Sequence, residues 1–325
     1  MTPESRSNRL RLDPALLEKA LKSKFAFHAD ELVVIFQGGE PSTVGENALL
    51  EYAECVTKVL PKAKLAMVSN LYHVSDWLID FARGPLSGRL ETTYAGGRKY
   101  SLSGNPSLFQ DRFANGLKKC VQSGLEIPVN VELNRETLEL GVDALIDLAS
   151  HTGAKIWEFD FSVDFDQFRT FSLYDSFGYP ILPKTVSYDD FYGFVLSFAE
   201  KFEKRLGYHV QSGVVDQFRA GTKSINFNVQ READFVTINP DGMVTTNPLF
   251  SDLSPTFLGN LNQSNLDECL ANSARSRRIM RERHRVIPCM NCVNFHRCGG
   301  GVSHLPVRDS GVTCIGGYQY WMENE

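Results

Sequence analysis

Residues 33–42 read VVIFQGGEPS. The apolar run 33–36 has the character of a buried strand, and Gly38-Gly39-Glu40-Pro41 then turns the chain sharply. Adjacent glycines reach backbone conformations closed to other residues and leave their carbonyl and N–H groups open to a ligand. Pro41 suits the first turn of a helix. A strand that runs through a tight turn into a helix is one unit of an α/β fold, so the fold depends on whether the unit recurs.

It does. Apolar runs stand at 32–36, 64–69, 89–94, 127–133 and 155–162, each followed by a helical pattern. Such strands alternating with amphipathic helices predict a parallel sheet buried on both faces, either an α/β barrel or an open α/β sheet. The chain opens on a helix, with Asp13 as N-cap, Pro14 in the first turn, and Leu16, Leu17, Ala20 and Leu21 as its apolar stripe. No strand precedes that helix. The run 32–36 is therefore expected at one edge of the sheet.

With 325 residues, the chain is long enough for one large domain and a smaller one. Residues 1–206 are assigned to the sheet and 207–325 to a smaller, loop-rich domain. A hydrophobic share of 42% with 22% charged residues is that of an ordinary globular protein. No apolar stretch reaches the roughly 18 residues a membrane span requires. Residues 1–13 lack the apolar core of a signal peptide, so the expected location is cytoplasmic. A net charge of −5 argues against general nucleic-acid binding.

Residues 166–188 read as a long, aromatic-rich connection, and a helix is expected from Tyr188 to about Leu206. FVTINPDGMVTTN, at 235–247, predicts a hairpin about its Asp-Gly turn. A short helix follows at 266–272. The basic stretch 273–285, SARSRRIMRERHR, reads first as a solvated helix face and second as a surface for an acidic peptide or one lying near a negatively charged cluster.

Of seven cysteines, Cys55, Cys120 and Cys269 are scattered through helix-like segments, and Cys120 falls on an apolar stripe with Phe113, Leu117 and Val121. The other four are Cys289, Cys292, Cys298 and Cys314. In a cytoplasmic chain this clustering points to metal rather than disulfides. A C-x2-C pair presents two thiolates from one tight turn, two later cysteines complete a tetrahedron, and Gly299-Gly300-Gly301 let the backbone fold around it. Four thiolates suit zinc or an iron–sulfur cluster equally, and spacing does not separate them. His296 reads as an outer or exposed residue rather than a ligand.

Together, GGEP after a strand, the repeated β/α units, the PDG hairpin and C-x2-C-x5-C-G-G-G resemble radical S-adenosylmethionine enzymes with a SPASM-type C-terminal domain, over essentially the whole chain. Sulfatase maturases and enzymes that modify ribosomally made peptides have this layout. The resemblance implies a partial (β/α) barrel lacking its first strand, followed by a SPASM/twitch-like domain. It places the amino group of S-adenosylmethionine at Gly38, Gly39 and Glu40, with Pro41 shaping the turn and Ser69 and Asn70 facing the cofactor. Read alone, GGEP serves equally as a structural β-to-α turn. The carboxylate and open carbonyls are sensible partners for an ammonium. Cys289, Cys292, Cys298 and Cys314 match the ligands of one auxiliary [4Fe–4S] cluster, with zinc as the alternative. The other auxiliary cluster lacks its cysteines, since those regions read MVTTNP and Val302.

One departure matters. The family's radical chemistry needs a C-x3-C-x2-C loop after the first barrel strand, and no cysteine precedes Cys55. Two expectations follow. The sequence is an N-terminally incomplete maturase acting on a peptide or protein, or it is a pseudoenzyme that keeps one metal site to bind a peptide or a partner protein. Either way, the residues given are expected not to cleave S-adenosylmethionine, while binding it weakly. Asp160, Asp164 and Asp166 stand where a carboxylate could face the site, with structural capping as an equal reading.

Overall fold

The structure, a computed structural model, describes residues 10–96, 105–164, 183–220, 231–246, 248–251, 256–283, 287–301, 305 and 314–317. Asp13 caps α1 (Pro14–Leu21) by accepting from the Ala15 N–H at 2.8 Å, as the sequence predicts. Ser23 caps the single-turn α2 (Lys24–Phe27). The β/α units then run in order: β1 (Val33–Phe36), α3 (Glu46–Val59), β2 (Lys64–Ser69), α4 (Asp76–Arg83), β3 (Leu90–Tyr94), α5 (Pro106–Gln122), β4 (Val129–Leu133), α6 (Arg135–Thr152) and β5 (Trp157–Phe161). Every strand falls inside its expected run.

The five strands form one sheet in the order β1-β2-β3-β4-β5, and the registered pairs are parallel. β1 is an edge strand, with Val33 40% and Ile35 43% exposed. After β5, Gln211 bridges beside Ile156, its carbonyl accepting from the Trp157 N–H at 2.9 Å, and so extends the sheet by one short step.

One face of the sheet carries the core. Leu65, Met67, Leu90, Val129, Val131, Trp157 and Phe159 are buried. α7 (Tyr188–Leu206) supplies Phe191, Phe194, Val195, Phe198 and Phe202, and the Phe198 ring lies 5.2 Å from Phe159 and 5.5 Å from Trp157. Each fully buried aromatic or aliphatic side chain contributes roughly 1.5–3 kcal/mol. The opposite face departs from expectation. On β3 to β5 it carries half-buried polar residues rather than apolar ones, because Glu91, Thr93, Asn130, Glu132, Glu158 and Asp160 all fall on the alternate positions.

The remaining elements are α8 (Gly213–Ala220), α9 (Arg231–Asp234), β6 (Thr237–Ile238), β7 (Met243–Thr245), β8 (Gly259–Asn260), α10 (Leu266–Leu270), α11 (Ser273–Arg283), α12 (Ile287–Met290) and α13 (Phe295–Cys298). β6 and β7 form the expected antiparallel hairpin, and β8 adds a third strand. The chain divides into two compact units that interleave in sequence. The first comprises 1–69, 75–90 and 230–283. In it Ala20 of α1 joins Val244, Leu258, Leu261, Leu266, Cys269 and Leu270 in one core, and Lys19 Nζ donates to the Leu261 carbonyl at 2.5 Å. The second comprises 70–74, 91–229 and 284–325. Among the described residues, no helix is long and apolar enough to cross a membrane.

Candidate functional site

At the C-terminal end of β1, Gly38 and Gly39 adopt φ values of 100° and 52°, which only glycine takes up readily, and open space surrounds both. Glu40 follows and caps the 3-10 turn Pro41–Val44. Its Oε1 accepts from the Ser42 N–H at 3.2 Å, the Ser42 hydroxyl at 2.7 Å and the Ser69 hydroxyl at 2.9 Å. Its carbonyl accepts from the Thr43 hydroxyl at 2.7 Å. The end of β2 therefore braces the turn that follows β1 through the Glu40 carboxylate. Ser69 is buried and directs its proton to Glu40, while Asn70 Oδ1 accepts from the Tyr72 N–H at 2.8 Å and closes a local turn. The result is a glycine-opened, exposed loop beside a half-buried, hydrogen-bonded carboxylate.

The cysteine segment lies in the second unit. A tight turn, with the Cys292 N–H donating to the Cys289 carbonyl at 3.1 Å, brings the C-x2-C pair together. Burial pushes the Cys298 thiol up to about 11, the Gly300 N–H that its sulfur accepts at 3.3 Å opposes this, and the thiols of Cys314, Cys289 and Cys292 raise it further. The other three cysteines are thus near enough to act on Cys298 electrostatically. Among the described residues, however, no three side chains stand close enough to hold a metal ion as placed. The donor set still fits a thiolate-bound centre. It offers four sulfurs, a backbone N–H aimed at one of them, and a glycine, Gly316, at which a side chain would lie 2.8 Å from Cys298 Sγ. His296 is exposed, with Nδ1 2.9 Å from the Val293 carbonyl, as expected of a residue outside the donor set.

The polar face of the sheet adds a residue the sequence reading missed. Glu158 pairs across β4 and β5 with Asn130, and Asn130 with Thr93. Glu158 Oε1 accepts from the Gly213 N–H at 2.8 Å at the start of α8, while Oε2 is buried with no hydrogen-bond partner among the described residues. Burial pushes its carboxyl up to about 7, with Asp160 and Asp216 adding to the rise and the backbone donors opposing it. Burial raises Glu91 as well, with a contribution from Asp160. The visible signal was the alternation of acids in WEFDF. Asp160 lies on this face, Asp164 donates its N–H to the Pro183 carbonyl at 2.7 Å, and Asp166 lies outside the described residues.

The basic stretch needs correction. α11 is not simply a solvated face: Arg278 is 4% and Glu282 2% exposed. Arg278 donates to the Thr256 carbonyl at 3.1 Å and stands 4.0 Å from the buried Glu232, and Arg275 binds the Glu232 and Ala233 carbonyls. These arginines are internal clamps, because α9 and the Thr256 segment offer carbonyls that long donors reach. Cys120 is fully buried with its thiol pushed up to about 11 by burial, as its place on an apolar stripe predicts.

No protein-family model matches the sequence, and neither does any curated protein. Solved structures do match. Over 96% of this chain and 86% of the other, it superposes on anSMEcpe with bound AdoMet at a TM-score of 0.69 and 16% identity. The same enzyme with AdoMet and the Kp18Cys peptide gives 0.70 at 15% identity, over 96% of this chain and 87% of the other. SuiB of Streptococcus suis bound to its precursor peptide SuiA gives 0.58 at 14% identity, over 91% of this chain and 66% of the other. These are radical S-adenosylmethionine peptide maturases with SPASM-type domains. The chain shares their fold. That is the architecture the GGEP turn, the β/α repeat and the cysteine pattern led us to expect, and at such identities the likeness establishes fold alone.

Proposed function

We propose that this protein is a maturase-type protein that binds a peptide or protein substrate and holds S-adenosylmethionine at the Gly38–Glu40 turn. Residues 1–206 would supply the cofactor turn, and residues 207–325 a four-cysteine metal centre. The observation that carries the reading is the turn itself: two exposed, positive-φ glycines stand beside a carboxylate that Ser42 and Ser69, at the end of β2, hold in place. That arrangement accepts hydrogen bonds from a primary ammonium, and the Glu40 carboxylate favours a cation there. Support for the peptide partner comes from the shared fold, since anSMEcpe and SuiB were solved with peptides.

In this reading Gly38 and Gly39 orient the cofactor's amino group, Glu40 balances its charge, and Ser42 and Ser69 keep the carboxylate from swinging away. Cys289, Cys292, Cys298 and Cys314 would hold an iron–sulfur cluster or zinc. A cluster held there would supply electron transfer. Glu158, at about 7, is poised to take up a proton from a group on the polar face near neutral pH. The sequence given contains no C-x3-C-x2-C, so no reductive cleavage is assigned to these residues. A second role, in which the fold and metal site bind a peptide or partner protein without radical chemistry, rests on that same observation.

The test is calorimetric titration of S-adenosylmethionine and of S-adenosylhomocysteine into the anaerobically purified chain. Weak binding lost in Glu40→Ala supports the reading, and no binding to the intact chain overturns it. After reduction with dithionite, 5′-deoxyadenosine should stay at the level of a Cys289→Ala control, and a clear excess would restore catalysis to this chain.

A further inference from the structure

We infer that Tyr192 is the positioning residue that sets Cys314 in register with the other three thiols. This rests on the reading of the four cysteines as a metal site.

Cys314 is the outlying ligand of the set, sixteen residues beyond Cys298 in sequence. The chain returns at a turn in which the Gly317 N–H donates to the Cys314 carbonyl at 2.8 Å. That turn is held from both sides. On one side, Gly316 lies against Cys298, leaving no room for a Cβ beside its sulfur. On the other, Gly317 lies against the Tyr192 ring, where a Cβ would stand 2.8 Å from Cε2. Tyr192 is fully buried on α7, and its hydroxyl donates to the Ile315 carbonyl, next in chain to Cys314, at 2.5 Å.

The ring itself is fixed. It meets Phe191 at 5.2 Å, Phe218 at 5.1 Å and Phe161 at 6.2 Å, all edge to face. Those contacts run from β5 to α8, so the hydroxyl is delivered from a rigid part of the fold. A buried O–H···O=C bond adjacent to a ligand controls where that ligand's backbone sits, in the manner of outer-shell contacts whose loss costs about 10–100-fold in metal affinity.

The hydroxyl and the ring are separable, because Tyr192→Phe keeps the packing and removes only the bond. The apo-protein would be titrated anaerobically with Co(II), following the thiolate-to-metal charge-transfer band, whose intensity counts bound thiolates. Wild type should show a four-thiolate band. Tyr192→Phe should show about tenfold or weaker binding and a band reduced toward three thiolates. Phe202→Leu, at a buried α7 position whose ring meets Phe198 and Tyr208 rather than Tyr192, should lower the melting temperature and leave both affinity and band unchanged. Equal affinity and an equal band in wild type and Tyr192→Phe overturn the role of Tyr192 while the metal site stands. Absence of any thiolate band in wild type overturns the metal site, and the inference with it.

Discussion

Glu158 shows how a single position can carry a pH-sensitive term in stability. Its carboxyl titrates near 7 in the folded protein against an ordinary value of 4.5, because burial disfavours the charged form and Asp160 and Asp216 repel it. A carboxylate raised in this way leaves the folded state holding a proton that the unfolded state has lost. Below about pH 4.5 both states are protonated and nothing is lost; as pH rises through 7 the folded state must ionise against its surroundings. The full displacement is worth about 3 kcal/mol, present as destabilisation above neutrality. Glu158→Gln keeps the acceptor for Gly213 and removes the ionisation. Urea unfolding at pH 5 and pH 8 should show wild type losing stability over this interval, with the slope markedly smaller in the Gln variant. Identical slopes would show that Glu158 does not titrate there.

At the scale of elements, the C-x2-C turn and the β/α turns test different things. Cys292→Ser leaves the 289–292 turn able to form, since its bond is backbone to backbone, and removes one of four sulfurs. Metal content should fall well below one equivalent, and the destabilisation should appear only in metal-loaded protein. Anaerobic protein with neither iron nor zinc near one equivalent in wild type would sink the site. The elements themselves were legible because their signals are local. Asp13-Pro14 starts a helix, Asn265 and Glu268 form a capping box around α10, and five apolar runs mark five strands. What stayed hidden depends on partners distant in sequence. β8 is two residues long and exists because β7 pairs with it. Arg278 reads as solvated until Thr256 and Glu232 close around it. Tyr192 reads as one more core aromatic, although its hydroxyl meets residue 315. The polar face of the sheet was visible as alternating acids in 157–161, but apolar content elsewhere in the runs masked it.

For the whole molecule, the way the chain interleaves predicts how it responds to metal. Residues 230–283 fold with the N-terminal segment: Asp267 accepts from the Lys24 and Phe25 N–H groups at 3.0 and 3.2 Å, and Ala20 lies in the core formed by Val244, Leu258 and Leu270. The buried Glu232, Arg278 and Glu282 supply further bonds there, with Glu282 accepting from the Glu232 N–H at 2.9 Å. None of these contacts involves the four clustered cysteines. The cysteine segment is held instead by Tyr192 and its own turns. Removing metal should therefore split the response of 207–325. Amide exchange should accelerate at 289–301 and 314–317 and reach α7 through Tyr192, while β6, β7, α10 and α11 keep their protection. Hydrogen exchange with mass spectrometry, comparing metal-loaded and chelator-treated protein, resolves these segments. Loss of protection throughout 230–283 on chelation would show that the hairpin depends on the metal, and that the hydrophobic and hydrogen-bonding contacts to the N-terminal helices are too weak to hold it alone.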